Sequence, residues 1–323
     1  MYPLKFSPIL KPTIWGGEKI AAFKQIKTDE KQIGESWEIS CLENNETVVV
    51  NGEEKGSTVR ELIRKYKEEL VGESNYKCFG DTFPLLIKFI DAQQDLSVQV
   101  HPNDELAKKR HNSFGKTEMW YVASADKGTK IYAGFKETLS AKEYKDHVYK
   151  NTLASTLQAF DAKAGDVFFI PAGTVHAIGA GAFIVEIQET SDVTYRIYDY
   201  DRVDAQGKKR ELHTEQSKEA IDFERRDDLK VEYDVAENEP VEIVSCTHFT
   251  TSVYDMNEPI NCDYSELDSF VILICIDGEC DVTDNEGNEV KLSKGETILL
   301  PASTQEVNIT PISSKVKILE VYS

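Results

Sequence analysis

Two stretches of this chain repeat the same structural pattern, and that repeat limits its fold more than any other feature. The segments GDVFFIPAGTVH (165–176) and GETILLPASTQE (295–306) each run glycine, an acid, four apolar-rich positions, proline, alanine and a small residue. Glycine permits the turn into a strand, the apolar run crosses a β wall, and proline fixes the exit. The repeat predicts two related β-barrels in one chain. Glu306 stands in the second where His176 stands in the first, and no His-x-His lies upstream of it, so any metal chemistry belongs to the first.

The rest of the chain agrees with a mainly β fold carrying a few short helices. Strand-like runs occur at 4–9, 36–40, 47–50, 83–91, 96–101, 118–125, 166–170, 182–189 and 194–198, broken by Gly, Asn and Pro. Helical patches are expected over 57–70, from Asn103 onward, and over 140–157. Residues 203–240 are highly charged and weakly periodic, and read as a solvated connection. The expected division is a catalytic domain over 1–240 and a second β domain over 241–323.

A formal net charge of -20 disfavours nonspecific binding to nucleic acid or acidic membranes, because the protein's field repels phosphate backbones. A small anionic substrate remains open to it if a few cations gather locally. No apolar run approaches the ~20 residues of a membrane span, and no secretory leader is visible. The six cysteines form no CxxC pair and read as scattered reduced thiols. A cytoplasmic protein, monomeric or homodimeric, is expected.

Chemistry concentrates in three places. In SVQVHPND (97–104) the alternation has a period of two, so on a strand Ser97, Gln99 and His101 face one side and Val98 and Val100 the other. Glu118 follows in a strand-like run, sharing its face with Lys116. A carboxylate inside a barrel needs a cation or a metal, and Lys116 alone is a sufficient partner. His176 ends the first copy of the repeat, aimed inward from a tight turn. His111, His147, His213 and His248 stand alone in polar or mixed surroundings and read as surface or core residues.

The segment 165–176 resembles the second motif of cupin barrels. Joined with QVHPN (99–103), KTEM (116–119) and SDVTYR (191–196), the pattern resembles type I mannose-6-phosphate isomerases in their short bacterial form. The resemblance runs from the WGG at 15–17 to about Arg202, and the C-terminal barrel matches more loosely. It implies one Zn²⁺ per chain bound by Gln99, His101, Glu118 and His176, and two cupin-like jelly-roll barrels, the second degenerate. It places the family's arginine on Arg196 and an active-site carboxylate on Glu186, with Asp192 in the Ser-Asp pair. The chain departs from the longer enzymes at Val193 and at Ile197 and Tyr198.

The implied reaction interconverts mannose 6-phosphate and fructose 6-phosphate through an enediol. Lys116 is the candidate base and Glu186 its competitor. Arg196 is the charge for the enediolate, Asp192 the aid to ring opening, and Ser97 with Lys88 the phosphate holders. Arg196 paired merely with Asp192 or Asp199, and Lys88 as a snorkelling surface residue, are the plainer alternatives. The ligands alone also suit an Fe²⁺ dioxygenase. A sugar-binding regulator is the non-catalytic alternative, and it would need neither an open metal position nor Arg196.

Overall fold

The computed structural model describes residues 1–203 and 206–323. Its strands longer than two residues, in chain order through the first two-thirds, are β1 (Leu4–Ser7), β2 (Ile9–Gly17), β3 (Ile33–Ile39), β4 (Leu85–Asp91), β5 (Val98–Val100), β6 (Glu118–Ala125), β7 (Lys130–Phe135), β8 (Leu157–Asp161), β9 (Val167–Ile170), β10 (His176–Ile178), β11 (Ala182–Glu189) and β12 (Tyr195–Tyr198). A seven-stranded sheet runs Lys230–Val231, β9, β6, β11, β4, β3, β2, and a five-stranded sheet runs β8, β7, β10, β5, β12. Their facing surfaces enclose the site. The fold is mainly β, as expected, with every strand pair of these two sheets antiparallel.

The two expected cupin-like units are present, and their sheets do not close into hydrogen-bonded cylinders. Each β unit is an open pair of sheets. In the first, residues 13–15 of edge strand β2 and residues 192–196 around edge strand β12 stand on either side of a cleft. Side chains line that gap instead of a continuous ladder, so the opening coincides with the site.

The turns at both ends of the repeat recur in the structure. Gly165 N–H donates to Val122 C=O at 2.8 Å, and Gly295 N–H to Cys275 C=O at 2.9 Å. Thr174 N–H closes a turn on Pro171 C=O at 3.1 Å, as Thr304 does on Pro301 at 2.9 Å. Both glycines have positive φ, 88° and 81°, which a residue with a Cβ adopts only under strain. The second unit pairs Val241–Ser245, Thr250–Met256, Val316–Tyr322, Val271–Asp277, Thr297–Leu300, β1 and Val48–Val49 in one sheet. Ile260–Asp263, Glu306–Pro311, Glu279–Asp284 and Glu289–Ser293 form the other. The N-terminal strand β1 thus sits in the second unit's sheet, Leu4 opposite Leu299, and one apolar cluster joins Phe89 and Phe183 to Phe270, Leu299 and Leu319.

The helices follow their caps. Thr58 and Glu61 form a capping box on Val59–Tyr66, and Asn103 caps Asp104–His111 by accepting from Leu106 N–H. The helix expected over 140–157 is shorter: Ser140 and Glu143 cap Ala141–Tyr149, then Asn151 turns left-handed at φ 55° and only the 3₁₀ turn Leu153–Thr156 follows. The connection 203–240 also departs from expectation. It contains the helix Thr214–Ala220, packed on β12, and Lys230–Val231 pairs with β9, with Leu229 fully buried. Only contacts distant in sequence stabilise these pieces, so local periodicity does not announce them. Among the described residues no helix is long and apolar enough to cross a membrane.

The two glycine turns differ in surroundings. A Cβ on Gly165 would meet nothing nearer than 3.7 Å, whereas one on Gly295 would lie 3.0 Å from the Lys24 backbone. Gly165→Ala is expected to destabilise by ~1–2 kcal/mol from φ alone. Gly295→Ala should cost more, because Lys24 must also move. Urea midpoints at unchanged slope measure the difference, and equal losses would contradict it.

Candidate active site and metal centre

Strand register builds the site. His176 on β10 pairs with Gln99 on β5, and Gln99 pairs with Arg196 on β12. Residues directly opposite in antiparallel strands project to the same face, so these three form one row across the five-stranded sheet. The facing sheet supplies a second row: Trp120 on β6, Glu186 on β11, Lys88 on β4 and Trp37 on β3. Glu118, two residues before Trp120, shares that inward face. Val98 and Val100 point away into an apolar cluster, as the alternation requires.

At the centre, His101, Glu118 and His176 each present a ligand atom, all within 4.8 Å of one another. His101 Nε2 lies 3.5 Å and His176 Nε2 3.4 Å from the Glu118 carboxylate. The outer ring nitrogens are anchored: His101 Nδ1 lies 2.9 Å from Val193 C=O and His176 Nδ1 2.9 Å from Thr174 C=O. With Nδ1–H donating to those carbonyls, each Nε2 lone pair is turned inward. Gln99 joins with its amide 3.2 Å from His176 Nε2, while Ser97 Oγ donates to Gln99 Oε1 at 3.3 Å. A half-turn of the amide exchanges its oxygen and nitrogen.

These residues fit a divalent metal ion. Burial, then the Lys116 charge, holds the His101 imidazole well below its usual range, and burial lowers His176 to about 4. Both rings are therefore neutral, as ligation requires. Glu118 is fully buried, and its Oε1 has no hydrogen-bond partner. Burial and the charge of Glu186 raise Glu118 to about 7 even though Lys116 Nζ lies 2.5 Å away. A carboxylate left in this state gains from a second cation.

Around this centre the charges interlock. Glu186 accepts from Lys88 Nζ at 3.0 Å and Trp120 Nε1 at 2.9 Å, with Lys116 Nζ at 3.9 Å. Burial alone would raise it, but Lys116 and Lys88 pull it down to about 2. Lys88 also lies 3.7 Å from Glu35, and the two carboxylates keep it charged against its burial. It is a buried residue in mid-strand, so the surface-residue alternative falls. Arg196 makes no ion pair within 4 Å among the described residues, which removes the structural alternative with Asp192 or Asp199. Its Nη1 donates to Glu211 C=O at 3.2 Å, and its buried Nε has no partner. Asp199 is instead held by Arg202 and Arg210.

A cleft of about 380 Å³ opens over the centre, lined by Ser97, Gln99, Lys116, Glu186, Lys88, Asp192 and Arg196. That size suits a small polar ligand. Trp15, Trp37, Glu35 and Arg210 line it as well. Sequence reasoning missed these four. Arg210 lies in the charged connection, where nothing local distinguishes it from a solvated residue, while Trp15, in the WGG at 15–17, marks only an edge of the resemblance.

Residues 4–168 match the family model "Phosphomannose isomerase type I, catalytic domain", and residues 240–322 match "Mannose-6-phosphate isomerase, cupin domain". The chain is 36% identical over 314 residues to the mannose-6-phosphate isomerase ManA of Bacillus subtilis, covering 95% of each. It is 42% identical over 215 residues to a mannose-6-phosphate isomerase of Streptococcus mutans, covering 67% of this chain and 66% of that one. The crystal structure of a Bacillus subtilis mannose 6-phosphate isomerase superposes with a TM-score of 0.89, at 29% identity and 99% coverage of both chains.

Neutral imidazoles make stability pH-dependent in the metal-free protein. Between about 4, the folded value for His176, and the unfolded value near ~6.5, the unfolded chain binds a proton that the folded one does not. The imidazole's contribution therefore rises with pH through this window and is lost on acidification, by up to ~1.4 kcal/mol per pH unit. Glu118, raised to about 7, contributes the opposite slope, so the difference from His176→Asn isolates the imidazole. Urea unfolding of both proteins without metal at pH 7 and pH 5 should show the wild type losing more. Parallel profiles would refute neutral burial of His176.

Proposed function

The chain belongs to the type I phosphomannose isomerases, and from that premise we propose how its cleft handles the mannose 6-phosphate reaction. The reaction converts an aldose to a ketose by moving a proton between C1 and C2 of the open-chain sugar, giving fructose 6-phosphate through an enediol. Three tasks follow: opening the ring, removing a weakly acidic proton, and stabilising the oxyanion. One observation carries the reading. The metal-ligand cluster, Lys116 and Arg196 come from two facing sheets and open on the same cleft.

We assign Gln99, His101, Glu118 and His176 as the holders of one Zn²⁺ per chain, since neutral imidazoles with one carboxylate suit that ion. When bound, the ion supplies a Lewis acid toward substrate oxygens. Lys116, packed beside the cluster at 3.2 Å from His101 Nε2, is the group we assign to moving the proton. Glu186 is the weaker choice, because a carboxyl held near 2 has little affinity for a proton at neutral pH. Its assigned role is to fix Lys116 and Lys88. Arg196 presents fixed positive charge to the enediolate, and its unpartnered Nε leaves a donor for that task. Asp192, exposed on the cleft wall, is assigned to ring opening. Ser97 and Lys88 are assigned as substrate contacts, with Arg210 adding charge for the phosphate.

Residues 1–240 are proposed as the catalytic unit and 241–323 as a degenerate β unit that contributes no residue to the cleft. A sugar-phosphate substrate and six free thiols suit a cytoplasmic enzyme. The alternatives drawn from the donor set alone, an Fe²⁺ dioxygenase and a non-catalytic sugar regulator, give way to this family.

A coupled assay of mannose 6-phosphate conversion to fructose 6-phosphate, with and without chelator, tests the reading. Activity is expected to vanish with chelator and return with Zn²⁺. Arg196→Ala should lower kcat by about 10²–10³-fold, the scale of a lost oxyanion donor, with Zn²⁺ content unchanged. Unaltered turnover in that variant would remove Arg196 from the mechanism.

A further inference from the structure

A second cluster with metal-ligand chemistry lies outside the cleft. Asp104 begins the helix Asp104–His111, Glu189 ends β11, and His248 lies in the turn between Val241–Ser245 and Thr250–Met256. Their ligand atoms all lie within 4.8 Å of one another. Three elements far apart in sequence therefore converge, one of them from the second β unit.

Lys108 lines the cavity beside this cluster but makes no ion pair with its carboxylates. Glu189 is only 6% exposed. One of its oxygens accepts from Thr117 N–H at 2.6 Å, and the other lies 3.2 Å from His248 Nδ1. Asp104 Oδ1 accepts from Gly115 N–H at 2.8 Å. Among the described residues no lysine or arginine forms an ion pair with either carboxylate. Burial, reinforced by the Asp104 charge, pushes the Glu189 carboxyl up to about 7 in spite of the Thr117 N–H. Two carboxylates and an imidazole face a surface cavity of about 490 Å³, whose wall also includes Cys78, Lys108, Asn112 and Ser113. That space admits water to complete a coordination shell.

We propose that Asp104, Glu189 and His248 form a second divalent-metal site, distinct from the one in the cleft, that takes a first-row transition ion such as Mn²⁺ or Zn²⁺. Two carboxylate oxygens with one imidazole nitrogen favour such ions over purely oxygen-seeking Mg²⁺ or Ca²⁺. The position gives the site a consequence. Asp104 and Glu189 hold the backbone amides of Gly115 and Thr117, on either side of Lys116. An ion there ties the His248 turn of the second β unit to the segment that delivers Lys116 and Glu118.

Titration of the chelator-treated full chain with Mn²⁺, following free ion by electron paramagnetic resonance, tests the site. Wild type should bind two equivalents, and His248→Ala and His176→Ala one each. Mn²⁺ should also raise the melting temperature of His176→Ala, through the remaining site. One equivalent in wild type that His176→Ala abolishes, or two in His248→Ala, overturns the proposal. Two equivalents in His176→Ala would instead count against the cleft site, so the two failures are distinguishable. If His248→Ala does not fold, His248→Gln replaces it, and the comparison of wild type with His176→Ala still decides.

Discussion

Glu118 is a carboxylate with no access to water, set among two imidazoles, and the rest of the site answers to that fact. An isolated buried charge of this kind is worth several kcal/mol of penalty. Lys116 meets one oxygen, while the other has no partner within the protein. Glu186, a second buried carboxylate nearby, makes matters worse for Glu118 and is itself stabilised by Lys88, Lys116 and Trp120. The interior thus holds two acids against two lysines, with the lone pairs of two neutral imidazoles turned toward the same point. That arrangement is unsatisfied as a salt-bridge network and well matched to a divalent cation.

Holding so many charges together requires rigidity, and two facing sheets supply it. Each functional side chain sits at a fixed register position: His176, Gln99 and Arg196 in one row, Trp120, Glu186 and Lys88 in another. A one-residue slip would turn a whole row away from the site, so the packing that specifies register also specifies the chemistry. The parting of the sheets follows from the same need. Where β2 and β12 approach, a closed ladder would seal the site, and the open edge leaves a cleft for a polar ligand.

Period-two alternation and turn chemistry made much of this legible in advance. The common face of Ser97, Gln99 and His101, the pairing of Lys116 with Glu118, and the inward His176 all follow from local pattern. The repeated glycine turns were equally visible, because Gly165 and Gly295 serve a positive φ that few other residues tolerate. What stayed hidden depends on tertiary neighbours. That Lys88 is neutralised by Glu186 and Glu35, that Arg196 pairs with neither aspartate, and that Arg210 reaches the cleft are facts about strands and loops meeting across the chain. The same holds for Thr214–Ala220, a short helix stabilised by its packing on β12. The sheet edges left open are a further case, since alternation marks faces of strands and says nothing about which edges join.

The second β unit shows what the site requires by what it replaces. Register aligns the units: Val271 pairs with Leu300 as Glu118 pairs with Ile170, and Asp263 pairs with Glu306 as Gln99 pairs with His176. By the same alignment Glu320 stands where Glu186 stands, Ser252 where Lys88 stands, and Ser269 where Lys116 stands. One glutamate thus occupies the same place twice, with opposite outcomes. In the first unit two lysines hold it ionised. In the second, Tyr254 and Tyr264 hydroxyls contact Glu320 at 3.0 and 2.5 Å, and burial raises its carboxyl instead. With Val271 in place of Glu118, the surrounding interior is filled by apolar side chains such as Leu273, Leu300 and Ile318. Removing the ligand carboxylate and both lysines together leaves Glu320 held by two tyrosine hydroxyls, with no second carboxylate opposite it. Losing any one of them alone would have left the others uncompensated, which is why the two units differ by a concerted set of replacements.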